Sequence, residues 1–267
     1  MSHILIDDLD DPRLAMYRQL KATNLTRDSG QFVVEGETLF GRLLASAFPV
    51  VSVLVTDRHL SSVAPRVPEG VPLYVVPQSR IEALVGFHFH RGVLACGGRR
   101  PWPSAVELAR AAGRRAAFVV CPHVDNPENL GAIVRIADVL GADAVLASVH
   151  CPDPLSRRVL RVSMGTALRV PVIARDDLAD EIGRLRREFG FETIATVVDP
   201  TAEPLSAIRR PDRLALFLGS EGHGLGPDWL ALCDRSLTIP MRAGAESLNL
   251  AVAAGIVLYH LLGPNRD

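Results

Sequence analysis

The chain has 267 residues, enough for one large domain or two ordinary ones. Apolar residues make up 48 % and charged residues 22 %, a globular composition that excludes a wholly disordered chain. Lys plus Arg is 29 against 30 for Asp plus Glu, a formal charge of −1, which excludes a global basic field and leaves only local basic faces for a polyanion.

Nine Phe, three Tyr and two Trp are too few for a large stacking platform for single strands. Four Cys stand at 96, 121, 151 and 233, with no CxxC pair and no accompanying His spacing. No metal site and no disulfide framework is therefore expected, and a reducing cytoplasm fits. The start, Met1-Ser2-His3-Ile4 and then Asp7, Asp8, Asp10 and Asp11, is not that of a secretory signal. The most apolar stretch, Leu250 to Tyr259, is too short to span a bilayer, so no membrane association is expected.

In chain order, Pro12 opens a short helix over 12–21. Phe32-Val33-Val34 reads as a strand, and Leu39, Phe40, Leu43, Leu44 and Ala47 give helical spacing over 37–47. Strands follow at 51–55, 73–76 and 91–96. The turn formers and charges of Gly97 to Pro103 read as a linker, followed by a helix over 104–112. The expected domains are 1–103 and 104–267.

The second part is more regular. Ala116–Cys121 is an apolar strand, and Asn126-Pro127-Glu128 is a helix start with a cap, a Pro at the first position and an acid in the first turn. Leu130, Ile133, Val134, Ala137 and Leu140 form an apolar stripe that Gly141 ends as a left-handed cap. Strands are predicted at 144–147, 170–174, 192–198 and 213–218, and helices near 154–163 and 176–189. Such alternation argues for an α/β fold with a mostly parallel sheet covered on both faces.

Three segments carry chemistry. Asn126 to Arg135 lies where a strand gives way to a helix, the ligand-facing edge of a parallel sheet. A well-capped helix with a surface Arg accounts for Asn126 and Pro127 but not for Asn129, a poor helix former. Leu216 to Gly226 is an apolar strand entering a loop with four glycines in eight positions, the kind that lets backbone approach a ligand. Its spacing matches neither a dinucleotide fingerprint nor a phosphate loop, and Glu221 argues against an anionic ligand. A flexible turn is the competing account, with His223 an exposed loop His. Ile239 to Ile256 ends in a helix apolar nearly all round, for which Ser247 is a plausible N-cap. Such a helix is expected to be buried, centrally or at a subunit interface, with Asn249 a buried polar group needing a partner.

Together and in this order the segments resemble the SpoU/TrmH family of RNA ribose 2′-O-methyltransferases, of the SPOUT superfamily. The first motif falls on Asn129, Gly131 and Arg135, the second on Leu218 to Leu225, and the third on Ile239 to Ala254. One departure is visible: Ala243, followed by Gly244, stands where the family usually has Gly. The match is strong over about 112–262 and weaker at Gly30 to Gly36 and His90 to Val93. The resemblance implies a C-terminal SPOUT domain with a deep trefoil knot, a small ribosomal-protein-like N-terminal α/β domain that binds substrate RNA, and a homodimer.

The implied reaction is methyl transfer from S-adenosylmethionine to a ribose 2′-hydroxyl of rRNA or tRNA, with rRNA favoured and no metal needed. An RNA-binding or ribosome-assembly factor that keeps the fold without turnover is the alternative. The family match implies that Leu218, Gly219, Ile239, Met241, Ser247 and Leu248 hold the cofactor, with Thr196 lining the same pocket. Its catalytic positions fall on Arg135, Asn129, Glu221, Ser247 and Asn249. Arg135 is the family's key residue, often assigned as general base, but a guanidinium stays charged in proteins, so a phosphate clamp that polarises the hydroxyl is easier to defend. Arg157, Arg158 and Arg161, with Arg169 and Arg175, form an acid-free run expected to contact RNA phosphates. Arg99, Arg100, Arg110, Arg114 and Arg115 form a second cluster.

Overall fold

The computed structural model describes residues 3–20, 29–242 and 244–263. The expectation at Ala243 lies outside them. The chain divides into two compact units, Met1–Pro101 with Leu155–Arg169, and Trp102–Pro154 with Val170–Asp267. The units meet at 101/102 where 103/104 was expected, and a fifteen-residue segment, 155–169, groups with the first unit.

In chain order the elements are β1 (Ile4–Leu5), β2 (Gln31–Glu35), α1 (Glu37–Leu44), β3 (Val50–Thr56), α2 (Leu60–Val63), β4 (Leu73–Val76), α3 (Ile81–Val85) and β5 (Val93–Gly98). Then follow α4 (Ala105–Ala111), β6 (Ala116–Cys121), α5 (Pro127–Leu140), β7 (Ala144–Ser148), α6 (Arg157–Val162), β8 (Val172–Arg175) and α7 (Leu178–Phe189). The chain closes with β9 (Glu192–Thr196), β10 (Glu203–Pro204), β11 (Arg213–Phe217), α8 (Pro227–Ala231), β12 (Arg235–Thr238) and α9 (Leu250–Leu262). The helix expected over 12–21 is a 3-10 helix, Pro12–Tyr17, capped by the Asp11 side chain.

The first unit is built on a five-stranded mixed sheet in the order β1-β4-β3-β5-β2. β2 and β3 run antiparallel to β5, and β1, β3 and β4 are mutually parallel. Glu35, at the end of apolar β2, is only 4 % exposed. A buried carboxylate needs charged partners, and α6 supplies them. Arg157 donates to Glu35 Oε2 at 3.0 Å, with Arg161 and Arg91 each at 3.7 Å. The Arg157 guanidinium also lies 4.1 Å over the Phe87 ring. That cluster, and the packing of α6 on β2, explains why 155–169 sides with the first unit.

The second unit is a seven-stranded sheet, order β10-β12-β9-β11-β6-β7-β8, parallel at every pairing. Phe118, Val120, Leu146, Ala215 and Phe217 are fully buried on it, with Ile182 and Leu185 of α7 on the same core. Burial of both faces is why these strands read as continuous apolar runs. α4 starts with a capping box: Ser104 Oγ accepts from the Glu107 N–H while Glu107 accepts from the Ser104 N–H. α5 begins at the Asn126 cap and stops at Gly141, φ +83°. α9 packs on α5. The four cysteines are free.

One expectation about α9 is corrected: its N-cap is Asn249, not Ser247, since Asn249 Oδ1 accepts from the Ala251 and Val252 N–H groups at 3.0 and 3.2 Å. Of the two placements expected for this apolar helix, central or at a subunit interface, the central one does not hold within the single chain, because Val252, Ile256 and Tyr259 are 50, 40 and 60 % exposed. One face packs inward through Ala254, Val257, Leu258 and Leu261, and the other is an open apolar stripe. No helix among the described residues is long and apolar enough to cross a membrane.

Candidate active site

Ligands of a parallel sheet gather outside the carboxyl ends of its strands, and the second unit has its cleft there. The cleft holds about 620 Å³. The ends of β9, β11 and β12 and the segment leading into α9 form its walls. Leu237, Ile239, Met241, Leu248 and Ala253 give it an apolar side, and Ser220, Glu221, Glu246 and Ser247 a polar one. An apolar wall with a few polar groups, at this volume, suits a ligand of nucleoside size carrying a polar chain.

The glycine loop after β11 is locally determined. Ser220 and Gly224 exchange backbone hydrogen bonds at 2.9 and 3.1 Å, and Gly224 has φ +65°. A Cβ on Gly219 would stand 2.5 Å from the Gly224 carbonyl carbon and 2.7 Å from the Leu225 nitrogen, both backbone, so only glycine fits. The close approach is to the loop's own chain as well as to the cleft.

The polar heart is a chain of hydrogen bonds joining all three sequence segments. Asn249 Nδ2 donates to Asn129 Oδ1 at 3.1 Å, and Asn129 Nδ2 donates to Glu221 Oε1 at 2.8 Å. Glu221 also accepts the backbone N–H of Asp125 at 3.1 Å and of Asn126 at 3.2 Å. Burial pushes the Glu221 carboxyl up, but the bonds from the Asn129 amide and from the N–H groups of Asp125 and Asn126 outweigh it and hold the group below the usual carboxylate range. Asn129, which helix propensity left unexplained, is 7 % exposed and links the other two segments. Asn249 is exposed rather than buried, but its amide is engaged at both ends.

Of the expected cofactor residues, Thr196, Gly219, Ile239, Met241, Ser247 and Leu248 line the cleft. Leu218 does not: its side chain is fully buried and its N–H donates to Val120 O at 2.9 Å. The Thr196 hydroxyl donates to Phe217 O at 2.8 Å, tying β9 to β11 beneath the cleft. Of the expected catalytic residues, Asn129, Glu221 and Asn249 are directly bonded, and Ser247 faces the same cleft. Arg135 is exposed on α5, six residues beyond Asn129, outside the cleft wall. Val198, Ser220, Glu246 and Ala253 also line the cleft and were not singled out from sequence. Ser220, Glu246 and Ala253 lie within the second and third motifs, and Val198 follows β9. His223 lies in the wall too.

In the arginine run, Arg157 and Arg161 pair with Glu35 at 3.0 and 3.7 Å, and Arg157, Arg158, Arg161 and Arg169 fall in the first unit whereas Arg175 falls in the second. In the second cluster, Arg114 and Arg115 pair with Asp212 at 2.8 and 3.7 Å, and Arg110 lies 6.0 Å over the Phe189 ring. Among the described residues, no group of three or more His, Cys, Asp and Glu side chains is arranged to hold a metal ion.

Comparison with known proteins gives the arrangement its context. An uncharacterised tRNA/rRNA methyltransferase of Mycobacterium tuberculosis is 38 % identical over 96 % of this chain and 93 % of its own. The Bacillus subtilis 23S rRNA (guanosine(2553)-2′-O)-methyltransferase RlmP is 28 % identical over 97 % of this chain and 99 % of its own. The structure of an rRNA methyltransferase from Sinorhizobium meliloti with bound AdoMet superposes with a TM-score of 0.82, covering 96 % of each chain at 23 % identity, a likeness of fold. Residues 116–259, which run from β6 into α9 and hold every link of the hydrogen-bond chain, match the model of the SpoU rRNA Methylase family, and the chain belongs to that family.

Proposed function

We propose that the chain transfers the methyl group of S-adenosylmethionine to a ribose 2′-hydroxyl of structured RNA, ribosomal in preference to transfer RNA. The observation that carries this reading is the Glu221–Asn129–Asn249 chain. It fastens the glycine loop, the start of α5 and the cap of α9 around one cleft of nucleoside size. Relatives named as 23S rRNA 2′-O-methyltransferases support the reaction class. The cofactor supplies an electrophilic methyl on a sulfonium, so the displacement calls for alignment and removal of one proton rather than for a metal.

The cleft's apolar wall, Leu237, Ile239, Met241 and Leu248, suits the adenosine, and the loop backbone around Gly219 and the Ser247 hydroxyl suit the amino-acid end. Glu221 has both oxygens engaged by N–H donors, so its part is to hold the loop against α5. Asn129 and Asn249 fix each other's amides and so hold the edge against which the ribose is positioned. Arg135, exposed and permanently charged, clamps an RNA phosphate and polarises the hydroxyl. In the first unit the exposed guanidiniums of Arg91 and Arg158 and the half-buried Arg161 contact RNA backbone, while Arg157 serves Glu35.

The open apolar stripe of Val252, Ile256 and Tyr259 fits a second copy of the chain, giving the homodimer. The trefoil knot and a cytoplasmic site of action complete the reading. Labelled methyl transfer to unmodified rRNA and, separately, tRNA tests it. Incorporation into one pool that Arg135→Ala abolishes, with cofactor binding intact, is the expected result. Tight RNA binding without incorporation into either pool would establish the assembly-factor alternative instead.

A further inference from the structure

The polar side chains of the cleft wall divide into those already engaged and those still open. The Thr196 hydroxyl donates to Phe217 O at 2.8 Å, the Ser220 hydroxyl accepts the His223 N–H at 3.2 Å, and the Asn249 amide is engaged at both ends. Glu221 has its oxygens bonded to the Asn129 amide and to the N–H groups of Asp125 and Asn126. Glu246 also lines the cleft, is exposed, and makes no hydrogen bond or ion pair among the described residues. His223, on the glycine loop, is the remaining titratable side chain of the wall. Among the described residues no Lys or Arg lines the cleft. The wall therefore carries two carboxylates and no permanent cation, and one of the carboxylates is uncommitted.

Such a wall favours a cation. S-adenosylmethionine offers two positive groups, the sulfonium and the α-ammonium, against a single carboxylate. Chemistry separates the two. The ammonium has N–H donors and forms a charge-assisted hydrogen bond with a carboxylate, whereas the sulfonium has none to give. The sulfonium also loses its charge as the methyl leaves, so a carboxylate set against it would stabilise the ground state more than the transition state and slow the transfer. The ammonium keeps its charge throughout. Position agrees with chemistry. Glu246 adjoins Ser247, and both line the cleft where the amino-acid end is read to lie. The sulfonium belongs instead beside the edge held by Asn129 and Asn249, where its methyl reaches the ribose.

Resting on the proposed methyl transfer, we infer that Glu246 is the anchor for the α-ammonium of the cofactor and makes the cleft specific for a nucleoside that carries an amino acid. The two carboxylates of the wall then have separate parts. Glu221 holds the glycine loop to α5, and Glu246 holds the ligand. The contact is the same for S-adenosylmethionine and for S-adenosylhomocysteine, because both carry the ammonium. It supplies affinity and orientation, and it does not discriminate donor from product. A nucleoside with the same adenosine, sulfur and carboxylate but no ammonium gains nothing from it and meets a repelling charge.

Titration calorimetry of the full chain with three ligands tests the assignment: S-adenosylmethionine, S-adenosylhomocysteine, and the deaminated analogue of the latter, which keeps the carboxylate and lacks the ammonium. Glu246→Gln keeps the size of the side chain and removes its charge. It should weaken the first two ligands by about tenfold each, the size of one charge-assisted hydrogen bond discounted for an open cleft. The deaminated ligand should bind the variant at least as well as it binds the wild type, so that the preference for the ammonium seen in the wild type disappears in the variant. A loss confined to S-adenosylmethionine would set the carboxylate against the sulfonium and overturn the assignment. An equal loss for the deaminated ligand would report damage to the cleft and overturn it as well, and so would unchanged affinity for all three. A wild-type chain that binds none of the three would remove the cofactor itself from the reading. One that binds S-adenosylmethionine but methylates neither rRNA nor tRNA would remove the RNA function and leave the anchor standing, so the failures are told apart.

Discussion

Asn129→Ala removes the middle link of the polar chain. Two bonds are lost: the amide donation to Glu221 at 2.8 Å and the acceptance from Asn249 at 3.1 Å. A hydrogen bond to a charged group contributes about 1.5–3 kcal/mol and a neutral one about 0.5–1.5 kcal/mol. The sum needs discounting, because Glu221 and Asn249 are both exposed, water can replace the lost partner, and Glu221 keeps its two backbone donors. A net loss of about 2 kcal/mol remains, roughly a 30-fold change in an equilibrium constant.

The loss is local, so amide hydrogen exchange at Asp125, Asn126, Ser220 and Gly224 is the assay. Protection at these amides should fall by roughly 30-fold, with β6 and β11 unchanged. The acid dependence gives a second signature. The Glu221 pKa in the folded chain lies below its unfolded value of about 4.3, so its contribution to stability is complete above that value and is lost as pH falls through the lowered one. Without the Asn129 amide the carboxyl is held down less, and loop opening should begin at higher pH than in wild type. Unchanged protection at the four amides, or an acid onset that does not move, would refute the view that this chain fastens the cleft.

Three further changes report on separate parts of the molecule. Glu35→Gln leaves three guanidiniums around a neutral amide; breaking a buried pair costs about 3–5 kcal/mol, here nearer about 2 because the arginines reach solvent. Denaturant unfolding of the first unit measures it, and a change below about 0.5 kcal/mol, no more than an exposed pair contributes, would argue against the cluster as the hold on α6. Gly219→Ala forces a Cβ into the backbone of Gly224 and Leu225. Calorimetry should show S-adenosylmethionine binding lost with far-UV circular dichroism retained, and wild-type affinity would show that the loop tolerates rearrangement. Val252→Glu places a charge in the α9 stripe; on the proposed homodimer, sedimentation should find dimer for the wild type and monomer for the variant, and a variant that sediments as the wild type does would move the interface elsewhere.

The alternation of apolar strands and helices made the second unit legible, and β6 starts and ends where the sequence placed it. β12 escaped because Arg235-Ser236-Leu237-Thr238 is short and mixed, with only its last two residues buried. The N-cap of α9 was ambiguous between Ser247 and Asn249, two cap-competent residues two positions apart. The choice fell to the side chain whose oxygen reaches the N–H groups of Ala251 and Val252. The placement of α6 was not legible, since Val159 and Leu160 would suit any core. Glu35 held the missing signal: an acid ending an apolar strand demands cationic partners, and the acid-free arginine run at 157–161 was the supply.

The same reasoning explains why the three motifs were readable as a set and uninformative singly. Asn129 is a poor choice on its own helix, Glu221 a poor choice for a glycine loop meant to cradle a phosphate, and Asn249 a second candidate for one cap. Each finds its use once the other two are in place, because the Asn129 amide has a donor side that needs an acceptor, here the Glu221 carboxylate, and an acceptor side that takes the Asn249 amide N–H. Glu221 cannot be exchanged for Gln without setting an amide N–H against an N–H donor of Asn129, Asp125 or Asn126. The donor–acceptor direction runs one way, from the α9 cap through α5 to the loop. The loop that forms the cofactor wall is thereby fixed to the helix that carries Arg135, and alignment of donor and acceptor depends on bonds that lie outside the reacting atoms.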